Sequence, residues 1–415
     1  MQAHWISGSS LGAFFIARNS AQRYDRSPSG RGLSISFEAA GLPVFLDWDR
    51  ELSQNKPCGP VFICGPSRSG TTLVTWVFKH QLGIVSAGET HYFSHLRLAH
   101  SHALDRPLTE SELDEFETYF FETRWQTYLH KQIGKSDEHL RVAREPVRAR
   151  CLELGGCADH YFRAYCEIYQ ELLGGETWGE KTPRHIFRID EIFTVFPDAT
   201  VVCMIRDPRS VVASFKDWGK DRSEKDVEVS DGESPAKEPQ TKQRQRVQQV
   251  YHPITIATLC KGAFRAAQLA QTRHGADRVR IIRFEDLVCS PRDVLNELAD
   301  WLGITAEIDP ENMPVSNSSY KNSEGKPQKG MNTKAVDRWR KTLTPTEIWA
   351  VERFASGMLR DGGYEPAGVK ISPFSMIGCY LRFFPSAVRG IFASRHRTGN
   401  LFVFVLRRVR MLFQS

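Results

Sequence analysis

The sequence predicts an α/β protein in which a central parallel β-sheet is flanked by helices. Short apolar runs such as VFIC at 61–64 and TVVCMI at 200–205 are each followed by a segment with helical spacing of its apolar residues. Strands that alternate with helices form parallel sheets with both faces covered. The composition agrees, because 415 residues that are 41% hydrophobic and 25% charged are typical of a globular protein with an ample core.

The predicted elements follow one another in a regular order. Val61–Cys64 is a short apolar strand, and Thr71–Gln81 has the apolar spacing of a helix. Further along the chain, the patterns predict helices at 118–130 and 160–173, a buried strand at 199–206, a helix at 209–218, a strand at 277–287 and a helix at 291–302. Ser290 before Pro291 is a favourable N-cap, with proline at the first helical position.

Three segments lie outside this alternation and divide the chain. Residues 1–45 are rich in Gly and Ser and predict a poorly ordered N-terminal arm, so 46–366 form the expected main domain. Within it, 219–250 carry seven acidic and seven basic residues without an aromatic, Leu or Ile, which predicts a disordered insertion or a flap that orders on binding. The tail 367–415 is rich in arginine. It is expected either to lie on an anionic membrane surface as an amphipathic helix or to pack on the domain.

The charge and the cysteines restrict the partners and the compartment. A net charge of +6 suits an anionic substrate or cofactor but is too weak to indicate nucleic acid. The nine cysteines are odd in number and none are spaced as C-x-x-C, which predicts free thiols in a reducing compartment and no metal site. The early run LGAFFIA is too short to span a bilayer, so we expect a cytoplasmic protein, with membrane association through the tail as an open alternative.

A phosphate-binding loop is predicted at 64–73, CGPSRSGTTL. A strand that runs into a glycine-containing turn and then a helix surrounds a phosphate with backbone N–H groups and the positive end of the helix. Thr71 and Thr72 add hydroxyl groups, and Arg68 has the geometry to bind phosphate oxygens with two nitrogens. The pattern predicts a P-loop-like three-layer fold. However, Thr71 stands where a nucleoside triphosphatase carries lysine.

A second anion site is predicted at the strand that ends before Arg206. Parallel α/β sheets bind ligands at the carboxyl ends of their strands. Arg206 and Ser214, eight residues apart, are therefore candidates to hold a second phosphate. Alternatively, the arginine covers the sheet edge and the serine hydroxyl bonds within its helix. A P-loop kinase requires an acidic residue at this strand end to hold Mg²⁺, and an arginine at the same place disfavours such a site.

Two further motifs carry candidate catalytic groups. GETHYF at 88–93 places Glu89 after an apparent second strand, where a carboxylate can act as general base toward a hydroxyl. Glu89 is equally suited to cap a helix or to form an ion pair. GEKTPRH at 179–185 places Lys181 at a junction of strand and loop, with Pro183 opening a helix.

These motifs, followed by RFEDLVCSP and DRWRKTLTPTE, occur in an order that closely resembles the sulfotransferase superfamily that uses 3′-phosphoadenosine-5′-phosphosulfate (PAPS). The branch with tyrosylprotein and glycan sulfotransferases is the most similar. The resemblance covers about three-quarters of the chain, from 60 to 366. It implies a transferase that moves a sulfuryl group from PAPS to a hydroxyl or amine of a carbohydrate, peptide or lipid acceptor, without a metal.

The resemblance also implies roles for individual residues. The 5′-phosphosulfate would be held by Arg68, Ser69, Gly70, Thr71 and Thr72, and the 3′-phosphate by Arg206 and Ser214. Glu89 matches the catalytic carboxylate, with His91 as a weaker alternative base, and Lys181 would stabilise charge on the leaving group. Ser318 and Ser319 fall in a segment that resembles the cofactor-covering loop. The alternative functions are a non-catalytic nucleotide-binding or membrane-tethered interaction protein and, less favoured, a P-loop kinase.

Overall fold

A computed structural model describes residues 24–26, 33–35, 59–124, 143–219, 251–312 and 331–393. The chain divides into two compact units, 1–57 and 58–415. In the first unit, strands β1 (Tyr24–Arg26) and β2 (Leu33–Ile35) pair antiparallel, within the segment that the sequence predicts as an arm. The boundaries of the arm, the main domain and the tail stay predictions.

The second unit contains a parallel sheet of five strands among its described residues. The strands are β3 (Val61–Cys64), β4 (Ile84–Ser86), β5 (Thr177–Lys181), β6 (Thr200–Ile205) and β7 (Val279–Arg283). Their spatial order is β4-β5-β3-β6-β7. The chain therefore starts in the middle of the sheet and builds outward in both directions, which creates a topological switch point beside β3.

Helices surround the sheet and complete the predicted α/β fold. In chain order the α-helices are α1 (Thr71–Gln81), α2 (Leu96–Ala99), α3 (Glu110–Glu117), α4 (Arg144–Glu153), α5 (Ala158–Leu173), α6 (Ile189–Val195), α7 (Pro208–Gly219), α8 (Pro253–His274), α9 (Phe284–Cys289), α10 (Pro291–Leu302), α11 (Trp339–Thr342), α12 (Pro345–Phe354), α13 (Ser356–Asp361) and α14 (Pro373–Ala393). Short 3₁₀ turns occupy Ser101–Ala103, Pro183–Phe187, Pro310–Asn312 and Thr333–Ala335.

Successive residues of β3 enter different hydrophobic cores, because neighbouring side chains of a strand point to opposite faces. Phe62 packs with Phe162 of α5 and Trp178 of β5 in an aromatic core. Val61 and Ile63 belong to a second core, which contains aliphatic residues of α1 and α10. The continuous apolar run of this strand is thus explained by burial on both faces.

Most of the local predictions are confirmed. The helices at 71–81 and 291–302 have the expected bounds, and all described cysteines are free. Three expectations are wrong in detail. The strand predicted at 277–287 ends at Arg283, because Phe284–Cys289 forms helix α9. Ser290 stands at the N-cap of α10 but makes no side-chain capping bond, since its backbone is not in the extended conformation typical of a cap. Thr118–Arg124 forms a π-helix in place of an α-helix, while 125–130 lie outside the described residues.

Nothing structural is described for most of the insertion, 220–250, or for 313–330 and 394–415. The described part of the tail contains α14, so a helix is confirmed there. No helix within the described ranges has the length and apolar character needed to cross a membrane.

Candidate active site

The loop between β3 and α1 begins the site. Its backbone is held at one end, where Gly65 N–H donates to the carbonyl oxygen of Pro183 at 3.1 Å. Arg68 has a φ of 73° and Gly70 a φ of 96°, so the chain turns sharply before α1. Ser69 and Thr71 are buried, and the hydroxyl of Ser69 is buried without a hydrogen-bond partner among the described residues. The first N–H groups of α1 have no acceptor within the helix and face the loop.

Gly70 is required by a close approach as well as by its backbone angle. A Cβ at this position would lie 2.5 Å from Cδ2 of Phe284, the first residue of α9. The ring of Phe284 also supports Arg206, whose guanidinium carbon lies 4.0 Å from the ring centroid. The loop and the second predicted anion site therefore share one aromatic contact.

Arg206 and Ser214 both reach the loop. The Nε of Arg68 donates to the hydroxyl of Ser214 at 3.0 Å. Arg206 donates from Nη1 to the main-chain oxygen of Arg68 at 3.1 Å and from Nη2 to that of Ala335 at 2.9 Å. The pKa of Arg68 is lowered mainly by burial and also by the nearby charge of Arg338, which is itself paired with Asp217 at 2.8 Å.

A second cluster lies at the adjacent strand. Lys181 is the last residue of β5 and pairs in register with Ile63 of β3, so it stands beside the start of the loop. Its Nζ donates a hydrogen bond to Oε1 of Glu89, and Nε2 of His91 lies 3.4 Å from Oε2 of the same carboxylate. The structure thus brings Lys181, Glu89 and His91 together.

The electrostatic state of Glu89 follows from these neighbours. Burial alone raises the pKa of its carboxyl, but the charge of Lys181 and the hydrogen bonds from His91 and Lys181 outweigh it, and the pKa falls to about 2. Glu89 is therefore ionised at neutral pH. The structure therefore shows the ion pair that the sequence allows as one role of Glu89, with Lys181 as the partner.

Glu180 is fully buried and organises the segment that carries Glu89 and His91. Its Oε1 accepts from the N–H of Thr90 at 3.0 Å, from the Thr90 hydroxyl at 2.7 Å and from the Thr182 hydroxyl at 2.5 Å. Its Oε2 lies 2.8 Å from Nδ1 of the buried His185. Burial raises the pKa of Glu180, but His185 and these hydrogen bonds lower it overall, so the carboxylate stays charged. The N–H of His91 completes the arrangement by donating to the Thr182 hydroxyl at 3.1 Å.

Glu180 and Arg338 lie within the motifs GEKTPRH and DRWRKTLTPTE, but they are not among the site residues that the sequence predicts. A signal for Glu180 was available, since a carboxylate inside a strand buried on both faces must find partners. Phe284 had no comparable signal, because its contact with Gly70 depends on β3 and β7 being held on either side of β6. Ser318 and Ser319 lie outside the described residues.

The fold and the site together define an α/β protein with a glycine-containing loop between β3 and α1, an arginine cluster at this loop and a carboxylate paired with lysine at the end of the adjacent strand β5. The described residues contain no cluster of three His, Cys, Asp or Glu side chains suited to a metal ion. The model of the Sulfotransferase family matches residues 60–308, and the chain belongs to this family. No curated protein matches the chain in sequence.

Solved structures similar to this chain include three sulfotransferases. The sulfotransferase domain from the curacin biosynthetic pathway is 15% identical, with a TM-score of 0.44 over 74% of this chain and 98% of that domain. The sulfotransferase domain from the Synechococcus PCC 7002 olefin synthase is 18% identical, with a TM-score of 0.41 over 73% and 96%. Sulfotransferase STF9 from Mycobacterium avium is 15% identical, with a TM-score of 0.37 over 77% and 81%.

Proposed function

We propose that the protein transfers a sulfuryl group from PAPS to a hydroxyl or amine of a glycan, peptide or lipid acceptor. Membership of the sulfotransferase family supports the reaction class. The observation that carries the proposal is the meeting of Arg68, Arg206 and Ser214 at one loop, beside the Glu89–Lys181 pair. One cluster supplies positive charge for a donor with two phosphate groups, and the other supplies a base and a cation for the transfer.

The residues present fit the donor. The buried hydroxyl of Ser69, the N-terminus of α1 and the narrow turn at Gly70 are features of a loop that encloses a phosphate group. In this proposal the 5′-phosphosulfate is held by Arg68, Ser69, Gly70, Thr71 and Thr72, and the 3′-phosphate by Arg206 and Ser214. Ser318 and Ser319 remain proposed contacts of the covering segment.

The reaction forms a bond from the acceptor oxygen or nitrogen to sulfur and breaks the bond from sulfur to the bridging oxygen of the 5′-phosphate. In-line attack requires that the acceptor lose its proton and that the leaving phosphate be stabilised. Glu89 would accept the proton, while Lys181 and the loop N–H groups would face the developing negative charge as preorganised donors.

The Glu89–Lys181 pair suggests how base strength is regulated in this site. While Lys181 holds the pKa of Glu89 at about 2, the carboxylate is ionised but weakly basic. If Lys181 turns toward the bridging oxygen of the donor, Glu89 loses the interaction that most lowers its pKa. Burial then raises that pKa, and the carboxylate becomes a stronger base when the donor is in place.

His91 is the weaker alternative base. Its Nε2 lies beside Oε2 of Glu89, and its ring stacks on that of His95 with centroids 5.3 Å apart. A neutral His91 could take the acceptor proton and keep it close to Glu89. Replacing each residue separately distinguishes the two assignments.

Two other functions are less well supported. A P-loop kinase is disfavoured because the family match is to sulfotransferases and because Thr71 and Arg206 replace the lysine and the acidic strand end of a kinase. A non-catalytic nucleotide-binding protein would keep the arginine cluster without needing Glu89 and Lys181 to meet. Their pairing across 92 positions of sequence favours an enzyme.

The proposal is tested by donor binding and by transfer. We expect 3′-phosphoadenosine 5′-phosphate (PAP) to raise the melting temperature more than ATP with Mg²⁺ at equal concentration. We also expect labelled sulfate to move from PAPS to at least one fraction in a screen of polysaccharides, peptides and lipids. Stabilisation by ATP with Mg²⁺ but not by PAP would contradict the donor assignment. PAP binding without transfer in any fraction would favour the non-catalytic function.

A further inference from the structure

Helix α14 exposes a continuous apolar stripe. Phe374 is 85% exposed, and Leu381 and Phe384 are each 66% exposed. The exposed apolar side chains of this face are Phe374, Ile377, Leu381, Phe384 and Val388. They are spaced alternately by three and four residues, so they lie along one side of the helix. Isolated exposed apolar residues are ordinary on proteins, but an aligned row of large ones indicates a contact surface.

The other side of α14 is already packed on the domain. Cys379 is buried in a small core with Ile254 of α8 and Ala350 of α12. Phe383 packs against that core, and its ring lies 5.3 Å from the ring of His252. The helix is therefore fixed to the domain, and its apolar stripe faces away from the protein.

The charges of the segment that carries the stripe are of one sign. Arg382 and Arg389 are exposed on α14. The sequence contains no Asp or Glu from Pro366 to Ser415, while seven arginines lie between Ile371 and the C-terminus. An apolar helix face flanked by arginines is complementary to a surface that is apolar inside and anionic at its boundary.

The geometry points to α14 as a docking surface for an anionic lipid bilayer, on which the helix lies flat with the stripe inserted at the boundary of headgroups and acyl chains. A second copy of the chain would bring arginines of the same sign together without a nearby carboxylate in this segment. Spanning is not required, since only one face of α14 is exposed and apolar. The inference is independent of the acceptor and of the proposed transfer reaction.

The experiment is co-sedimentation of the full chain with vesicles of phosphatidylcholine alone and of phosphatidylcholine with about 30% phosphatidylserine, where anionic lipid adds attraction for basic segments. The stripe variant is Leu381→Glu with Phe384→Glu. The matched control is Leu152→Glu with Leu269→Glu, which places the same charges at exposed leucines of α4 and α8. A charge variant, Arg382→Gln with Arg389→Gln, tests the anionic component. Thermal unfolding and PAP binding are measured for each variant.

We expect the wild type and the matched control to bind the anionic vesicles. The stripe variant should lose at least about tenfold in partitioning, because two large apolar side chains no longer insert. The charge variant should lose less, and its loss should disappear on neutral vesicles. Equal binding by the stripe variant would overturn the inference, since the remaining tail would then account for the binding. Failure of the wild type to bind, together with a dimer that only the stripe variant converts to a monomer, would assign the stripe to a second copy.

Discussion

The two cationic groups of the site differ in the hydrogen-bond acceptors that hold them. Arg206 donates to main-chain carbonyl oxygens and stacks on Phe284, and Arg68 donates to the neutral hydroxyl of Ser214. Lys181, in contrast, donates to the charged carboxylate of Glu89. These hydrogen bonds and the ring contact orient the two arginines, whereas the carboxylate of Glu89 compensates the charge of Lys181. In the proposed function the arginines bind the anionic donor, and Lys181 exchanges Glu89 for the bridging oxygen of that donor.

The first and largest expected effect is that Glu89→Gln impairs sulfuryl transfer without impairing PAP binding. The rate constant kcat for sulfuryl transfer should fall by about 10²- to 10⁴-fold, because the amide cannot accept the acceptor proton. PAP affinity, measured by calorimetry, should be retained or increased, since Lys181 is no longer neutralised. Glu112→Gln, at a carboxylate paired with Arg106 on the surface, is the control and should change neither quantity. Loss of PAP binding with unchanged kcat would reverse the assignment of the two regions.

Lys181→Met should have the next largest effect, on rate and on pH dependence together. We expect kcat to fall by about 10²- to 10³-fold, as on removal of a donor to a developing anion. Without Lys181, the pKa of Glu89 loses its largest lowering interaction and rises from about 2, although His91 still lowers it. The acidic limb of kcat/KM should therefore move to higher pH, toward the ordinary range of glutamate at about pH 4.

Lys216→Met provides the comparison, because it removes a lysine from another ion pair, with Glu347 at 2.6 Å. Its pH profile should match that of the wild type. An acidic limb at the same pH in all three proteins would show that Glu89 does not control the profile.

The two arginines should show a crossed pattern of ligand discrimination. Arg206→Gln should weaken PAP by about 10- to 100-fold but affect adenosine 5′-phosphate, which lacks the 3′-phosphate, much less. Arg68→Gln should weaken PAP similarly while sparing adenosine 3′-phosphate. Arg273→Gln, at an exposed arginine paired with Asp190, is the control. If both variants lose affinity for all three nucleotides by the same factor, the two arginines contribute to one shared binding site and do not form separate subsites for the two phosphates.

The smallest effect is expected for the glycine that separates the loop from α1. Gly70→Ala should destabilise the fold and weaken PAP by about tenfold, because its Cβ would displace Phe284 and with it Arg206. Gly303→Ala has a similar positive φ, but no atom lies within 4 Å of its Cβ. It should cost about 1–2 kcal/mol of unfolding free energy, from backbone strain alone, with unchanged PAP affinity. Chemical denaturation and calorimetry on both variants test this difference.

Much of the fold could be predicted because its signals are local. The apolar run of β3, the glycines of the loop and the spacing of α1 are neighbours in sequence, and together they specify a strand, a turn and a helix. The π-helix at Thr118–Arg124 was not predictable in this way, since its apolar spacing differs little from that of an α-helix. Ser290 shows a similar limit, because a suitable residue type does not ensure the capping conformation.

The sequence by itself determined the residue types of the site and their positions after strands. Only the tertiary structure decided which of them meet. The strand order β4-β5-β3-β6-β7 brings Lys181 beside the loop and within reach of Glu89, and it brings Phe284 against Gly70. It also buries Glu180 beneath Thr90, so that a residue absent from the predicted site holds the segment of the candidate base. These contacts depend on the spatial order of the strands. In a parallel sheet, no single stretch of the sequence specifies that order.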